Sequence, residues 1–204
     1  MGLDEDLTAY YDAEARTGGR VEARGFRVEL RTRFVEVVTA EERRRVIDVG
    51  AGPGVDTMAW VTDGFDTVGL DLGFENCRVA AGRGLTAVAG SLYDLPFATA
   101  RFDALWTMST FVHVPLDRSD QALREMVRVL RPGSPIGIGT WGGRDFEGVP
   151  EFGELRPYRF FSLASHDTWQ SVLARHGTVE QFLTFAPADR SGWEYQFAIV
   201  RTPS

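Results

Sequence analysis

The chain contains no lysine, a single cysteine and only three histidines among its 204 residues. The lone Cys77 cannot form a disulfide within the chain, so the disulfide frameworks typical of secreted domains are excluded. Because the chain is rich in alanine, glycine and valine, the exclusive use of arginine indicates GC-rich coding and carries no functional conclusion. No histidine, cysteine and aspartate cluster has the spacing of metal ligands, so we expect no metal.

Long apolar runs and an excess of positive charge are also missing. No apolar stretch approaches the roughly 18 residues that a membrane-spanning helix needs. The acidic start, Met-Gly-Leu-Asp-Glu-Asp, has no signal-peptide pattern. The formal net charge of -7 argues against a general surface for nucleic acid or anionic membranes. We therefore expect a cytoplasmic protein that binds neither nucleic acid nor membrane, and the sequence leaves its oligomeric state open.

One stretch, Arg45-Val-Ile-Asp-Val-Gly-Ala-Gly-Pro-Gly-Val-Asp56, has the pattern of a ligand-binding turn. Residues 46–49 are rich in β-branched side chains and predict a short buried strand. Three glycines follow it, at Gly50, Gly52 and Gly54, before a predicted helix. Glycines at such a strand-to-helix turn make the turn tight and let a ligand approach the bare backbone.

The glycine spacing and Asp48 narrow the class of ligand. A dinucleotide turn reads G-x-G-x-x-G and places the pyrophosphate at the helix N-terminus. Here the third position would be Val55, and the glycine falls one residue early at Gly54. Asp48 adds a negative charge that repels a phosphate but suits an ammonium or a sulfonium. A chance glycine loop in another Rossmann-type protein is the alternative.

A second acidic residue, Asp71, ends the next predicted strand, residues 65–71. It follows Gly50 by about 20 positions, which is where such units hold the ribose hydroxyls of a nucleotide. A carboxylate suits that task because it accepts two hydrogen bonds from a vicinal diol. A surface aspartate at a strand end is the alternative. Leu72 follows, where an apolar side chain could pack on an adenine face.

Beyond this unit, strand patterns alternate with helix patterns, which predicts a doubly wound, mainly parallel sheet. Residues 119–130 show the spacing of an amphipathic helix that Arg131-Pro-Gly133 ends. The last strands are predicted to form an antiparallel hairpin at one sheet edge. Strands are expected at 85–90, within 101–108, at 136–140, at 179–185 and at 195–201.

The two ends of this pattern carry further expectations. Residues 1–45 are predicted to form an N-terminal helical cap, with an amphipathic helix over 21–38. Its arginines are expected to form a solvated face: Arg24, Arg27, Arg31 and Arg33. Residues 141–161 break the pattern with glycines and prolines, which is typical of a substrate lid; a disordered insertion is the alternative. Without an internal repeat or boundary, we predict one domain over 1–204.

Several runs, in order, resemble the class I S-adenosylmethionine-dependent methyltransferases, in particular their small-molecule branch, methyltransferase type 11. They cover about residues 46–138 closely and the C-terminal hairpin loosely. The resemblance implies a Rossmann-like α/β fold with about seven strands, mainly parallel, and an antiparallel C-terminal strand. The runs are Val46-Ile-Asp-Val-Gly-Ala-Gly-Pro-Gly54, Val68-Gly-Leu-Asp71, residues 90–97 with their Leu-Pro-Phe ending, Phe102-Asp-Ala-Leu105 and Leu123-Arg-Glu-Met-Val-Arg-Val-Leu-Arg-Pro-Gly133.

The same resemblance implies S-adenosylmethionine as the cofactor and a set of residues that bind it. In that family, an aspartate at the position of Asp48 helps hold the ammonium group, and one at Asp71 takes the ribose. An acidic residue is usual where Ser91 stands, and a serine hydroxyl accepts more weakly than a carboxylate. The implied cofactor residues are Tyr11, Asp48, Gly50, Gly52, Gly54, Asp71, Leu72, Ser91, Leu92 and Met108.

Tyr11 and His113 are the residues with two interpretations. Tyr11 precedes Asp12 and matches a Tyr-Asp pair that often closes over the cofactor in this family; simple packing is the alternative. Methyl transfer is an in-line displacement that needs alignment and exclusion of water. A base is needed only when the acceptor must lose a proton, and His113 is the candidate. A structural histidine bonded to backbone is the alternative.

We therefore predict an enzyme, a methyltransferase that acts on a small organic acceptor at O, N or C. A non-catalytic module that binds S-adenosylmethionine or its product is one alternative. A nicotinamide-dependent oxidoreductase is another, against which Val55 speaks. Asp145 and Glu147 are weaker candidates for acceptor contact. Aromatic residues that could surround a partly apolar acceptor are Tyr10, Tyr11, Phe111, Trp141, Phe146, Phe160 and Phe161.

Overall fold

The computed structural model describes residues 2–18, 25–151, 155–186 and 194–204. Helices and strands alternate through most of these ranges. The α-helices are α1 (Leu3–Arg16), α2 (Gly25–Ala40), α3 (Val55–Thr62), α4 (Phe74–Gly82), α5 (Ser119–Val129) and α6 (His166–Ala174). The strands are β1 (Arg45–Val49), β2 (Asp66–Asp71), β3 (Thr86–Ala89), β4 (Ala104–Met108), β5 (Pro135–Gly142), β6 (Phe146–Gly148), β7 (Phe161–Leu163), β8 (Thr178–Phe185) and β9 (Glu194–Arg201).

Seven of these strands form one sheet in the order β3-β2-β1-β4-β5-β9-β8. The first five pair in parallel with their neighbours. Strand β9 runs antiparallel to both β5 and β8, and the β8–β9 hairpin forms one edge of the sheet. The predicted doubly wound, mainly parallel sheet with an antiparallel C-terminal strand is confirmed.

Apolar layers cover both faces of the sheet. On one face, Leu123 and Met126 of α5 and Leu173 of α6 are fully buried in a cluster with strand residues of β1, β4 and β5. On the other, Phe34 of α2 stacks on Trp106 of β4, with ring centres 5.5 Å apart. Sheets covered on both faces read as continuous apolar runs, and every residue of β4 and β5 is buried.

The N-terminal helices lie close to the predicted positions. Helix α1 packs against α4, so the cap begins beside the second βα unit. Helix α2 occupies most of the amphipathic pattern predicted over 21–38 and continues to Ala40. Residues 19–24, which include the predicted start of that helix and Arg24, lie outside the described residues. No helix in the described ranges is long and apolar enough to cross a bilayer.

The segment predicted as an irregular lid contains regular structure at both ends. Strand β5 continues to Gly142, two residues beyond the prediction. Strand β6 then pairs antiparallel with β7 in a separate small sheet. Strands of three residues are too short to show a period-two pattern among the glycines and prolines of this region, so sequence reasoning missed them. Residues 152–154 lie outside the described residues, and the lid role stays a prediction.

Candidate functional site

A cavity of about 470 Å³ lies at the carboxyl ends of β1, β2 and β4, beside helix α1. Ligands bind at this place in open α/β sheets, and the volume is within the usual range for small-molecule sites. Most of the predicted site residues line it, whereas Asp48 and Gly54 are not in the lining. The lining includes Tyr11, Gly50, Gly52, Asp71, Leu72, Ser91, Leu92, Met108 and His113.

The turn after β1 depends on glycine for backbone reasons. Gly50 has a φ of 74°, and a Cβ at this position would collide with the side chain of Thr110. Gly52 has a φ of 58° with open space where its side chain would be. The N–H of Gly52 donates to the Asp71 carboxylate at 2.8 Å. The turn is therefore tied to the end of the neighbouring strand.

Asp71 presents a partly desolvated carboxylate to the cavity. Besides Gly52, the backbone N–H of Gly73 donates to it at 2.8 Å and the Asn76 side chain at 3.1 Å. Burial raises the pKa of the Asp71 carboxyl above its ordinary value, and these hydrogen bonds oppose that change. An ionised carboxylate has about four acceptor positions, so it can accept a further donor from a ligand.

Asp48 and Gly54 lie outside the lining of the cavity. Asp48 is buried and accepts the Thr57 hydroxyl at 2.6 Å. Burial, reinforced by the negative charge of Asp56, raises the pKa of Asp48 from 3.8 to about 7. At Gly54, a Cβ would collide with Leu85, so this glycine allows the turn to pack against the following βα unit. Their contacts with a cofactor stay predictions.

Ser91 and Leu92 lie in the lining at the position where the resemblance places adenine. The Ser91 hydroxyl accepts a hydrogen bond from the backbone N–H of Tyr93 at 3.2 Å. This bond holds the Ser91 side chain in the turn after β3. Leu72 lies in the same lining, directly after Asp71. The three residues give this end of the cavity one hydroxyl and two apolar side chains.

Tyr11 and His113 form a hydrogen-bonded pair across the cavity wall. The Tyr11 hydroxyl is 2.8 Å from Nε2 of His113, and Nδ1 of His113 is 2.7 Å from the carbonyl of Phe160. Because a carbonyl can only accept, Nδ1 carries a proton, and when the ring is neutral Nε2 accepts from Tyr11. Arg159 donates to the Tyr11 hydroxyl at 2.9 Å. His113 thus bonds backbone and also lines the cavity.

The residues suggested for acceptor contact divide into two groups. Tyr10, Tyr11, Trp141 and Phe161 line the cavity, whereas Phe111, Phe146 and Phe160 are not in the lining. The two carboxylates Asp145 and Glu147 are also absent from the lining. Glu147 accepts the Leu116 N–H at 2.7 Å and the Ser162 hydroxyl at 2.9 Å, and Asp145 accepts the Ser165 N–H at 2.8 Å. These carboxylates therefore hold the β6–β7 sheet in place.

A buried ion pair in the lining was missed by sequence reasoning. Arg27 donates to Asp56 at 2.6 Å, and both residues line the cavity. The expectation that Arg27 lies on a solvated helix face is wrong, because its side chain is 10% exposed. Arg27, Leu30 and Phe34 are spaced by three and four and share one buried face. That spacing was the signal available in the sequence.

Comparisons with known proteins agree with this geometry. A family described as a methyltransferase domain matches residues 47–138. The chain is 33% identical over 124 residues to a demethylmenaquinone methyltransferase of Renibacterium salmoninarum, covering 60% of this chain and 49% of that protein. It is 30% identical over 166 residues to a chloroplastic tocopherol O-methyltransferase of Arabidopsis thaliana, covering 73% and 46%. Residues 47–138 therefore match a methyltransferase domain, and the relatives support a class I S-adenosylmethionine-dependent methyltransferase.

The methyltransferase fold extends over most of the chain. A solved 1,6-didemethyltoxoflavin-N1-methyltransferase of Burkholderia thailandensis covers 97% of this chain, with a TM-score of 0.69 and 20% identity. At that identity the likeness shows the fold alone. The chain spans about half the length of the curated relatives that it matches. The family predicted from the sequence is confirmed.

The matched part of the methyltransferase domain supplies much of the lining of the cavity. It contains the glycine turn, Asp71, Ser91 and His113. Tyr11 of α1 and Arg159 before β7 lie outside it. In the described ranges, no group of three or more histidine, cysteine, aspartate or glutamate side chains is arranged to hold a metal ion.

Proposed function

We propose that this protein transfers the methyl group of S-adenosylmethionine to a small organic acceptor, at O, N or C. The observation that carries the proposal is the cavity at the carboxyl ends of β1, β2 and β4 in a methyltransferase domain, with the glycine turn and Asp71 in its lining. The names of two relatives, which specify tocopherol and demethylmenaquinone, support a small organic acceptor.

The residues present fit the cofactor. S-adenosylmethionine supplies a methyl group on a positively charged sulfur. The backbone at Gly50 and Gly52 leaves room for the methionine part, and Asp71 accepts the ribose hydroxyls. Ser91 and Leu92 would meet the adenine. The desolvated carboxylate of Asp71, whose pKa is raised by burial, gains most from such donors.

The side of the cavity that contains Tyr11, His113, Trp141 and Phe161 is the proposed acceptor side. It aligns the acceptor and excludes water. Trp141 and Phe161 give it an apolar wall. Where the methylated atom carries a proton, that proton passes to the Tyr11 oxygen as the tyrosine's own proton moves to Nε2 of His113. The bond between the acceptor atom and hydrogen breaks, and a bond from Nε2 to hydrogen forms. His113 then acts as the base through Tyr11, because the Tyr11 hydroxyl donates to the Nε2 lone pair and separates it from the acceptor.

The compartment and the arrangement of the chain belong to the same proposal. We place the protein in the cytoplasm, and its net charge of -7 supports an acceptor that is not a nucleic acid. We place one domain over 1–204, with residues 1–45 as a cap and 141–161 as a substrate lid. The contacts of Tyr11 with His113 and Arg159 support this arrangement, because they join α1 to the segment after β4 and to the segment before β7.

Calorimetric titration with S-adenosylhomocysteine and with NADH tests the cofactor. We expect S-adenosylhomocysteine to bind and NADH not to bind. Asp71→Ala should weaken binding by about 1–3 kcal/mol, which is roughly 5- to 150-fold. Asp66→Ala is the matched control, because Asp66 is exposed at the other end of β2 and should leave the affinity unchanged.

The outcomes separate the alternatives. Binding of NADH alone would favour an oxidoreductase, and binding of neither ligand would end the enzyme proposal. Binding of S-adenosylhomocysteine, with no methyl transfer to any acceptor in a broad screen, would favour a non-catalytic module. With an acceptor found whose methylated atom loses a proton, Tyr11→Phe should lower kcat by roughly 10²- to 10⁴-fold. The affinity of this variant for S-adenosylhomocysteine should stay within about a factor of two of wild type. Phenylalanine keeps the ring of Tyr11 and removes only the hydroxyl, which bonds His113 and Arg159.

A further inference from the structure

Arg159 places a positive charge in the wall of the acceptor side. It lies on the segment that leads into β7, is half-buried and lines the cavity. Its guanidinium carbon is 4.1 Å from the ring centre of Tyr10 and 5.2 Å from that of Phe161. One of its nitrogens donates to the Tyr11 hydroxyl at 2.9 Å. Aromatic rings and one hydroxyl therefore hold this guanidinium.

No carboxylate neutralises this charge within the part of the chain that the structure describes. By contrast, Arg27, which also lines the cavity, is paired with Asp56 at 2.6 Å. Aromatic faces attract a cation, but less strongly than a carboxylate does. A guanidinium has five N–H donors, and Tyr11 accepts from one of them. Arg159 can therefore offer its other donors to an anion in the cavity.

We propose that Arg159 binds a carboxylate group of the methyl acceptor, so that the acceptor is an organic acid. This inference rests on the function proposed above. The planar guanidinium matches a carboxylate through two parallel hydrogen bonds. The remaining charged residues of the lining, Asp4, Glu14 and Asp71, are acidic. A doubly charged phosphate would add surplus negative charge to such a cavity, whereas one carboxylate is matched by one guanidinium.

The carboxylate serves as the anchor, and a second group of the acceptor receives the methyl. Hydrogen bonds from a guanidinium engage the lone pairs of a carboxylate and stabilise its charge, which makes it a weaker nucleophile. The Tyr11 hydroxyl next to Arg159 is placed to take a proton from a hydroxyl or an amine. Trp141 and Phe161 line the same side and suit a flat or apolar body.

The test uses two series of probes on the protein loaded with S-adenosylhomocysteine. One series contains hydroxy- and amino-substituted benzoates and phenylacetates, and the other contains the corresponding carboxamides. Calorimetry gives the affinities, and methyl transfer is measured with S-adenosylmethionine. We expect at least one carboxylate to bind about ten- to hundred-fold more tightly than its carboxamide, as a charged hydrogen-bonded pair implies.

Two substitutions assign this preference to Arg159. Arg159→Met keeps the length and apolar stem of the side chain and should abolish the preference, with affinity for S-adenosylhomocysteine unchanged. Arg156→Met is the control, because Arg156 is exposed and lies over the ring of Tyr158 at 3.7 Å. It should retain the preference. The thermal midpoints of both variants show that they fold.

Three results would overturn the inference. They are the absence of any carboxylate preference in wild type, its survival in Arg159→Met, and a loss of S-adenosylhomocysteine binding in Arg159→Met, which would assign Arg159 to the cofactor. If wild type itself fails to bind S-adenosylhomocysteine, the proposed function fails. If that ligand binds and the two probe series bind alike, only the carboxylate inference fails.

Discussion

The two sides of the cavity are built in different ways. The cofactor side comes from the turns after β1, β2 and β3, and hydrogen bonds from backbone N–H groups, such as that of Gly52 to the Asp71 carboxylate, hold it together. The proposed acceptor side joins α1, the segment after β4 and the segment before β7. Its contacts are made by side chains, and Tyr11 and Arg159 are 148 positions apart.

This difference teaches where the specificity of such a domain is encoded. A turn that must accept a common cofactor needs particular backbone angles, and glycines at those angles are visible in the sequence. An acceptor wall needs only side chains of suitable shape and charge, which different parts of the chain can supply. The four predictions below test how the cofactor side and its junction with the cap depend on burial, backbone angles and charge.

The largest effect is expected at the ion pair that joins the cap to the cofactor side. Asp56→Ala leaves Arg27 charged and buried, and also removes the acceptor of the Trp106 indole N–H. We expect the free energy of unfolding to fall by about 3–5 kcal/mol, as for other broken buried pairs. Denaturant unfolding measures the change.

The control for this prediction is Asp63→Ala. Asp63 pairs with Arg31, which lies on helix α2 as Arg27 does, but the Asp63 side chain is 36% exposed. A pair that remains partly hydrated should contribute about 0–1 kcal/mol. Equal losses in the two variants would show that burial does not distinguish the pairs, and that the cap is held by its apolar residues.

The next effect separates two glycines of one turn. Gly50→Ala and Gly52→Ala both place an alanine at positive φ, which costs roughly 1–2 kcal/mol. The added Cβ at Gly50 also collides with Thr110, whereas the one at Gly52 meets open space. We expect the thermal midpoint to fall further for Gly50→Ala. Similar midpoints would mean that the turn and the segment after β4 move apart easily.

A pH-dependent effect is expected from Asp48. Its pKa rises from 3.8 to about 7 on folding, so between these values the folded chain holds a proton that the unfolded chain has released. The contribution of Asp48 to the free energy of unfolding is therefore full at low pH and declines as the pH rises to about 7.

Asp48→Asn isolates this contribution, because the amide keeps an acceptor for the Thr57 hydroxyl. We expect the stability of the variant relative to wild type to increase from about pH 4 to about pH 7 and to stay level above that. Urea unfolding across this range measures the difference. A constant difference would show that Asp48 stays ionised in the folded protein.

The smallest effect is expected at Ser91, on the cofactor side. Ser91→Asp introduces the acidic residue usual in the family, and a carboxylate is a stronger acceptor than a hydroxyl. We expect S-adenosylhomocysteine to bind more tightly by about 1 kcal/mol, which is roughly five-fold. Ser91→Ala is the control and should weaken binding slightly. Weaker binding in Ser91→Asp would place the adenine amino group away from this position.

The predicted elements that proved correct are those with local patterns. Strand-like runs, the glycine turn and the helix over 119–130 each have a periodicity or a turn residue that neighbours in sequence impose. The seven strands of the sheet and its antiparallel C-terminal strand followed from the family resemblance and are confirmed, whereas the strand order came from the structure. The short strands β6 and β7 were missed because pairing between distant segments forms them.

The sequence by itself determined the family, the doubly wound sheet and the backbone of the cofactor side, because strand alternation and positive-φ glycines are properties of short segments. Only the tertiary structure decided that Arg27 is buried against Asp56 and that Tyr11, His113 and Arg159 meet. Those contacts depend on the packing of helices and loops over a shared sheet. Packing of that kind leaves no period in the chain, so the acceptor side became visible only in three dimensions.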